Sequence, residues 1–96
     1  MKRGAIIKFR LYVAGEAPNS MRAAANLNAL CQAQLPDRHE IELVDVLREP
    51  RRALTDGIFM TPTLVRLAPA PLRRIVGNLS QTEAVLTALG LDAIAA

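Results

Sequence analysis

Met60-Thr61-Pro62-Thr63-Leu64-Val65-Arg66 is the stretch on which the fold of this chain turns, with Pro69, Pro71, Arg73, Arg74 and Gly77 close behind. The run from Thr63 is apolar and β-branched, as a strand should be. Pro62 has no N–H to donate, so it cannot lie inside a central strand. It must sit at a strand start, an edge or a bulge, where a cis bond is one way to fit. Met60 to Leu67 and Leu72 to Val76 then read as two short strands joined through Ala68-Pro69-Ala70-Pro71. So short a connection makes them antiparallel.

Upstream, Ile7, Phe9, Leu11 and Val13 alternate with Ile6, Lys8, Arg10 and Tyr12, which predicts a first strand over Ile6 to Val13. After the loop Ala14-Gly15-Glu16-Ala17-Pro18, Asn19 or Ser20 caps a helix running to about Gln34. Ala23, Leu27, Leu30 and Cys31 form its buried face, with Ala24 beside it, and Pro36 stops it. Ile41 to Val46 is a second strand, parallel to the first because a helix separates them. Pro50 opens a short, weakly capped helix that Gly57 ends. Downstream, Ser80-Gln81-Thr82-Glu83 reads as a capping box. The last helix turns Val85, Leu86 and Leu89 inward and stops at Gly90. The order is βαβαββα.

A chain of 96 residues with 51% hydrophobic content is expected to form one domain over residues 1–96. Two Phe, one Tyr and no Trp leave the core to Leu, Ile, Val and Ala and argue against stacking on single-stranded nucleic acid. The net charge of +3 is scattered, with no like-charge run longer than two, so a nucleic-acid footprint is not expected. The single cysteine cannot pair within the chain, which argues against an oxidising compartment. No apolar run approaches a membrane span. The expectation is a soluble cytoplasmic protein.

A βαβαββα order with a proline opening the third strand is that of a thioredoxin-like three-layer α/β fold, which keeps such a proline beside its working surface. The redox cysteine of that fold would fall near Ala17-Pro18-Asn19-Ser20, where this chain has none. Cys31 lies deep in the first helix, far from the helix N-terminus or cation that would activate a thiol, so it reads as a small buried hydrophobe. His39, the only histidine, has no clustered partners for a metal site or a catalytic triad. The five glycines are isolated, so there is no phosphate loop. Asp45, at a strand end, is structural or interfacial. Arg66, Arg73 and Arg74 lie around the hairpin. They are either charges that protect edge strands or a rim for an acidic partner, and spacing alone leaves both open.

Leu11-Tyr12-Val13-Ala14-Gly15, Pro18-Asn19-Ser20 and Val44-Asp45-Val46-Leu47 followed by Pro50 resemble the KaiB circadian clock proteins. So do Thr61-Pro62-Thr63-Leu64, then Pro69, Pro71, Arg73-Arg74-Ile75-Val76-Gly77 and Leu79-Ser80. The resemblance runs from about Ile7 to Leu91. It implies a protein that is not an enzyme, needs no cofactor or metal, and binds the N-terminal ring of a KaiC-type ATPase. There, KaiB proteins displace the sensor domain of the SasA kinase and can sequester KaiA. It also implies two conformations: a thioredoxin-like monomer that binds KaiC, and a ground-state tetramer with a rearranged C-terminal half. A dimer or tetramer is therefore open beside a monomer.

The departures from the family pattern matter. Typical members carry a small residue and a lysine where this chain has Glu40 and Glu42. Their Gly-Asp-Leu-Ser is Gly77-Asn78-Leu79-Ser80, and their Pro-Pro-Pro is Pro69-Ala70-Pro71. Their Gly-Leu-Asp is Ala88-Leu89-Gly90. Ala inside a helix and Gly at its end both favour a well-formed last helix, so the thioredoxin-like form is expected to predominate. Glu40, Glu42, Arg66, Arg73 and Arg74 are the expected partner-binding residues. Pro62, Pro69, Pro71, Gly77, Ala88 and Gly90 are the expected determinants of the fold. Beside clock regulation stand an adaptor for a different signalling or stress partner, motivated by Glu40 and Glu42, and a redox enzyme, which the missing cysteine disfavours.

Overall fold

The strand alternation read in Ile7, Phe9, Leu11 and Val13 places all four in one buried cluster. These residues belong to β1 (Ile7–Val13), the first element of a computed structural model that describes residues 5–91. It is followed by α1 (Pro18–Gln34), β2 (His39–Asp45), α2 (Pro50–Thr55), β3 (Thr63–Ala68), β4 (Arg73–Val76) and α3 (Thr82–Ala88). The sheet order is β2-β1-β3-β4. β1 pairs parallel with β2 and antiparallel with β3, and β3 pairs antiparallel with β4. This is the expected thioredoxin-like topology, not the rearranged alternative.

The two faces of β1 meet two separate cores. Ile7, Phe9, Leu11, Val13 and Leu64 pack on Ala23, Leu27, Leu30 and Cys31 of α1, on Val85 of α3 and on Leu89, its C-cap. On the other face Tyr12, Val44 and Val65 pack on Ala53 and Ile58, under and beside α2. The result is three layers, with two helices on one side of the sheet and one on the other. β1 and β3 are central, and β3 is buried on both faces from Thr63 to Arg66, which explains the near-continuous apolar run at Thr63-Leu64-Val65.

Several boundaries differ from the sequence expectation. β3 begins at Thr63, not Met60, because Pro62 cannot donate to the ladder and the Thr63 hydroxyl turns back to donate to Met60 O at 2.6 Å. Thr61–Pro62, Ala68–Pro69 and Ala70–Pro71 are cis. The helix α1 starts at Pro18 with Ala17 as its cap, while the Ser20 hydroxyl accepts from Ala14 N at 3.1 Å. That serine is spent on tying the loop to the helix, so neither it nor Asn19 is the cap. β2 begins earlier, at His39. The capping box at Ser80 does not form: Gln81 is the cap and makes no side-chain bond. Ser80 N instead donates to Asn78 Oδ1 at 3.1 Å, which holds this serine outside the helix.

Gly90 ends the last helix as expected, with φ +69. That left-handed backbone is strained for any residue with a Cβ. Gly77, at φ +133, donates its N–H to Pro62 O at 3.0 Å. Two of the expected fold determinants are thus bonded to each other across the β3 and β4 ends.

Candidate functional site

The connection from β2 through α2 to β3 carries an unusual amount of exposed apolar surface. Phe59 is 90% exposed, Leu54 75%, Leu47 70% and Met60 62%. These are half of the large apolar side chains exposed among the described residues, gathered into one connection. Scattered single apolar side chains need no explanation, whereas a cluster marks an interaction surface. Phe59 and Met60 border a shallow depression of about 170 Å³ whose floor includes Val46, Ala53 and Ile58. Exposed Arg48 and Arg51 lie in the same connection, with exposed Glu49 between them and Arg48 3.7 Å from Asp45.

The sequence held a signal for this patch. Ile58-Phe59-Met60 is an apolar triplet in a connection bounded by Gly57 and Pro62. A six-residue helix covers little sheet, so Ile58 is buried in the core on that face and Phe59 and Met60 are left to solvent. Placing Met60 inside β3 concealed them.

The sheet face beneath α2 is charged. Arg10 donates to Glu42 at 2.7 Å, and Arg52 of α2 donates to the other oxygen of Glu42 at 2.7 Å. Both bonds hold the Glu42 carboxyl below its ordinary range. Tyr12 donates to Asp56 at 2.6 Å, and Arg10 lies 3.5 Å from the same carboxylate. Burial, then the bond to Asp56, raises the Tyr12 phenol. Arg74 donates to Asp56 O and Gly57 O, both at 3.1 Å, and so binds the C-terminal end of α2. These bonds fix the α2 segment that presents the apolar cluster.

The expected partner-binding residues do not form one site. Glu40 and Glu42 are exposed on the edge strand β2, in register with Lys8 and Arg10. Glu42 is already committed to two arginines, whereas Glu40 makes no side-chain bond among the described residues. Arg73 and Arg74 are neighbours on β4, so their side chains leave opposite faces of the sheet. Arg74 shares the α2 face with Glu42 but lies three strands away, roughly 14 Å.

Arg66 is a correction. It was expected on a solvent-facing rim, but only 3% of it is exposed. On the central strand β3 its side chain shares the Leu64 face and passes under α3. It donates to Leu89 O at 2.6 Å and to Pro71 O at 2.8 Å. Burial, then the charge of Arg73, lowers its pKa.

Chemistry has little to work with here. Cys31 is fully buried, and burial pushes its thiol up to about 12, far from a nucleophilic thiolate. Asp45 accepts from Gly15 N and Leu47 N, both at 3.0 Å, and so fastens two loops together. Among the described residues no group of three or more His, Cys, Asp or Glu side chains is placed to hold a metal ion. Among the same residues no helix is long and apolar enough to cross a membrane.

Comparison with known proteins agrees with this geometry. The chain is similar to chloroplastic thioredoxin z, with a TM-score of 0.72 at 19% identity over 92% of this chain and 80% of that one. The N-terminal domain of Synechococcus elongatus SasA gives a TM-score of 0.70 at 16% identity, over 91% and 83%. Identities this low establish the thioredoxin-like fold alone. The sequence is 46% identical to the circadian clock protein KaiB3 of Synechocystis sp. over 88 residues, 92% of this chain and 84% of that protein. It is also 46% identical to the circadian clock oscillator protein KaiB of Prochlorococcus marinus over 83 residues, 86% and 69%. The KaiB domain matches residues 10–91. These matches show that the chain belongs to the KaiB family of circadian clock proteins, regulators that are not enzymes.

Proposed function

We propose that this protein docks on the ring of a KaiC-type ATPase and competes there with a SasA-type kinase, with sequestration of a KaiA-type protein as a consequence of docking. The observation that carries this reading is the exposed apolar side chains Leu47, Leu54, Phe59 and Met60 of one connection, which also carries exposed Arg48 and Arg51. A few aromatic and arginine anchors carry most of the binding energy at protein interfaces, and cations beside them steer an acidic partner. The fold shared with the SasA N-terminal domain supports competition for one seat.

The test mixes the purified protein with a cognate KaiC-type ring, with and without ATP, and follows co-elution by size exclusion. Phe59→Ala removes the most exposed anchor and should weaken binding by about 30-fold, as truncating an interface hot spot of about 2 kcal/mol does. A SasA-type sensor domain should displace the wild-type protein. Undiminished binding by Phe59→Ala together with Leu54→Ala would place the seat elsewhere.

The acidic edge of β2 favours a second reading, an adaptor for another signalling or stress partner. Glu40 and Glu42 lie on the exposed edge strand. A gene for a KaiC-type ATPase beside the gene for this chain favours docking on the ring, and a different kinase or stress regulator there favours the adaptor.

A further inference from the structure

Arg66 is a cation buried in the centre of the sheet, a costly arrangement unless its donors are satisfied. None of the ion pairs among the described residues includes it. Its register partner across β3 and β4 is Arg73, another cation. What it meets instead is two backbone carbonyls from separate segments, while its buried Nε has no hydrogen-bond partner. Leu89 O belongs to the end of α3, where the last carbonyls lack partners within the helix and carry the negative end of its dipole. Pro71 O belongs to the connection between β3 and β4.

We propose that Arg66 is a lock joining the C-terminal end of α3 to the β3–β4 connection, so that helix and hairpin open and close as one unit. Three observations converge on it. A helix of seven residues is too short to hold itself, so α3 depends on its attachments. The other attachments, through Val85 and Leu89, are apolar and therefore non-directional. A Cβ on Gly90 would come within 3.1 Å of Arg66 Nη1, so the glycine that ends α3 also leaves room for the guanidinium. Arg66 acts here as a positioning residue, and the inference needs no partner protein. It stands or falls separately from docking on a ring.

Amide hydrogen exchange on the full chain tests the lock. In Arg66→Lys one ammonium replaces the guanidinium fork: it has donors enough for both carbonyls but not the two fixed positions from which Nη1 and Nη2 reach them. Arg66→Met removes both bonds. Amides of α3 and β4 should exchange on the order of 10- to 100-fold faster in Arg66→Met and by a smaller factor in Arg66→Lys, with β1 and β2 unchanged. Equal acceleration of all amides would make Arg66 an ordinary core residue, and no acceleration would remove the lock altogether. Gly90→Ala in wild type and in Arg66→Lys gives a second measurement that needs only the milder variant. The φ strain is common to both backgrounds and cancels in the cycle. A larger effect of Gly90→Ala in wild type supports the lock, and equal effects overturn it.

Discussion

Glu42 accepts hydrogen bonds from Arg10 and Arg52, both of which favour its charged form. Its folded pKa lies below its unfolded value, so the folded state binds the proton less readily. The stability this contributes is present above the unfolded carboxylate value, about 4.3, and is lost as pH falls through the folded one. Acidification from about pH 6 to about pH 3 should therefore lower the Tm of wild type more than that of Glu42→Gln, whose side chain does not titrate. Equal slopes in thermal scans would show that the pair contributes nothing to folding, as many exposed pairs do. Residue types and the faces of β1 were legible because alternation along a strand fixes them. The inward course of Arg66 was not. An arginine reads as solvent-facing unless its carbonyl partners are known, and Leu89 and Pro71 come from other segments. The split of Arg73 from Arg74 was legible in principle, since neighbours on a strand point apart.

At the scale of the element, the end of α3 offers a single change to test. Its seven residues end in Ala88, with Leu89 as the C-cap and Gly90 in the left-handed conformation beyond. Ala88→Gly restores the backbone freedom that alanine removes and should cost up to about 1 kcal/mol. In a chain this short that lowers Tm by roughly 4–8 °C, readable by calorimetry or circular dichroism. An unchanged Tm would mean that tertiary contacts alone hold the end of α3. The order of all seven elements followed from periodicity and punctuation by Pro and Gly. Three of the boundaries that moved did so where a side chain made a local bond that periodicity does not report: Ser20 to Ala14, Thr63 to Met60, and Asn78 to Ser80. The apolar cluster of α2 was missed for a related reason. The pattern identifies which residues are apolar, but only the shortness of α2 decides which of them the core leaves uncovered.

For the whole molecule, the charges of β4 decide between stability and binding. The described residues adopt the thioredoxin-like arrangement, so backbone chemical shifts of the free protein should be extended across Thr63–Ala68; helical shifts there would mean the rearranged form predominates. In that arrangement Arg73 stands opposite Arg66 and its charge lowers the Arg66 pKa, a repulsion between cations across two strands. Arg73→Glu replaces the repulsion with an ion pair to a buried guanidinium, so it should raise Tm or leave it unchanged. The same change removes an exposed cation from any rim that meets an acidic ring, and should weaken co-elution with a KaiC-type ATPase at low salt more than at high salt. Arg74→Glu cannot separate the two effects, because it also breaks the bonds to Asp56 O and Gly57 O that hold α2. Weaker binding by Arg73→Glu with undiminished stability would place β4 in the docking surface. Unchanged binding would confine that surface to the apolar cluster around α2 and leave Arg73 as a charge that protects an edge strand.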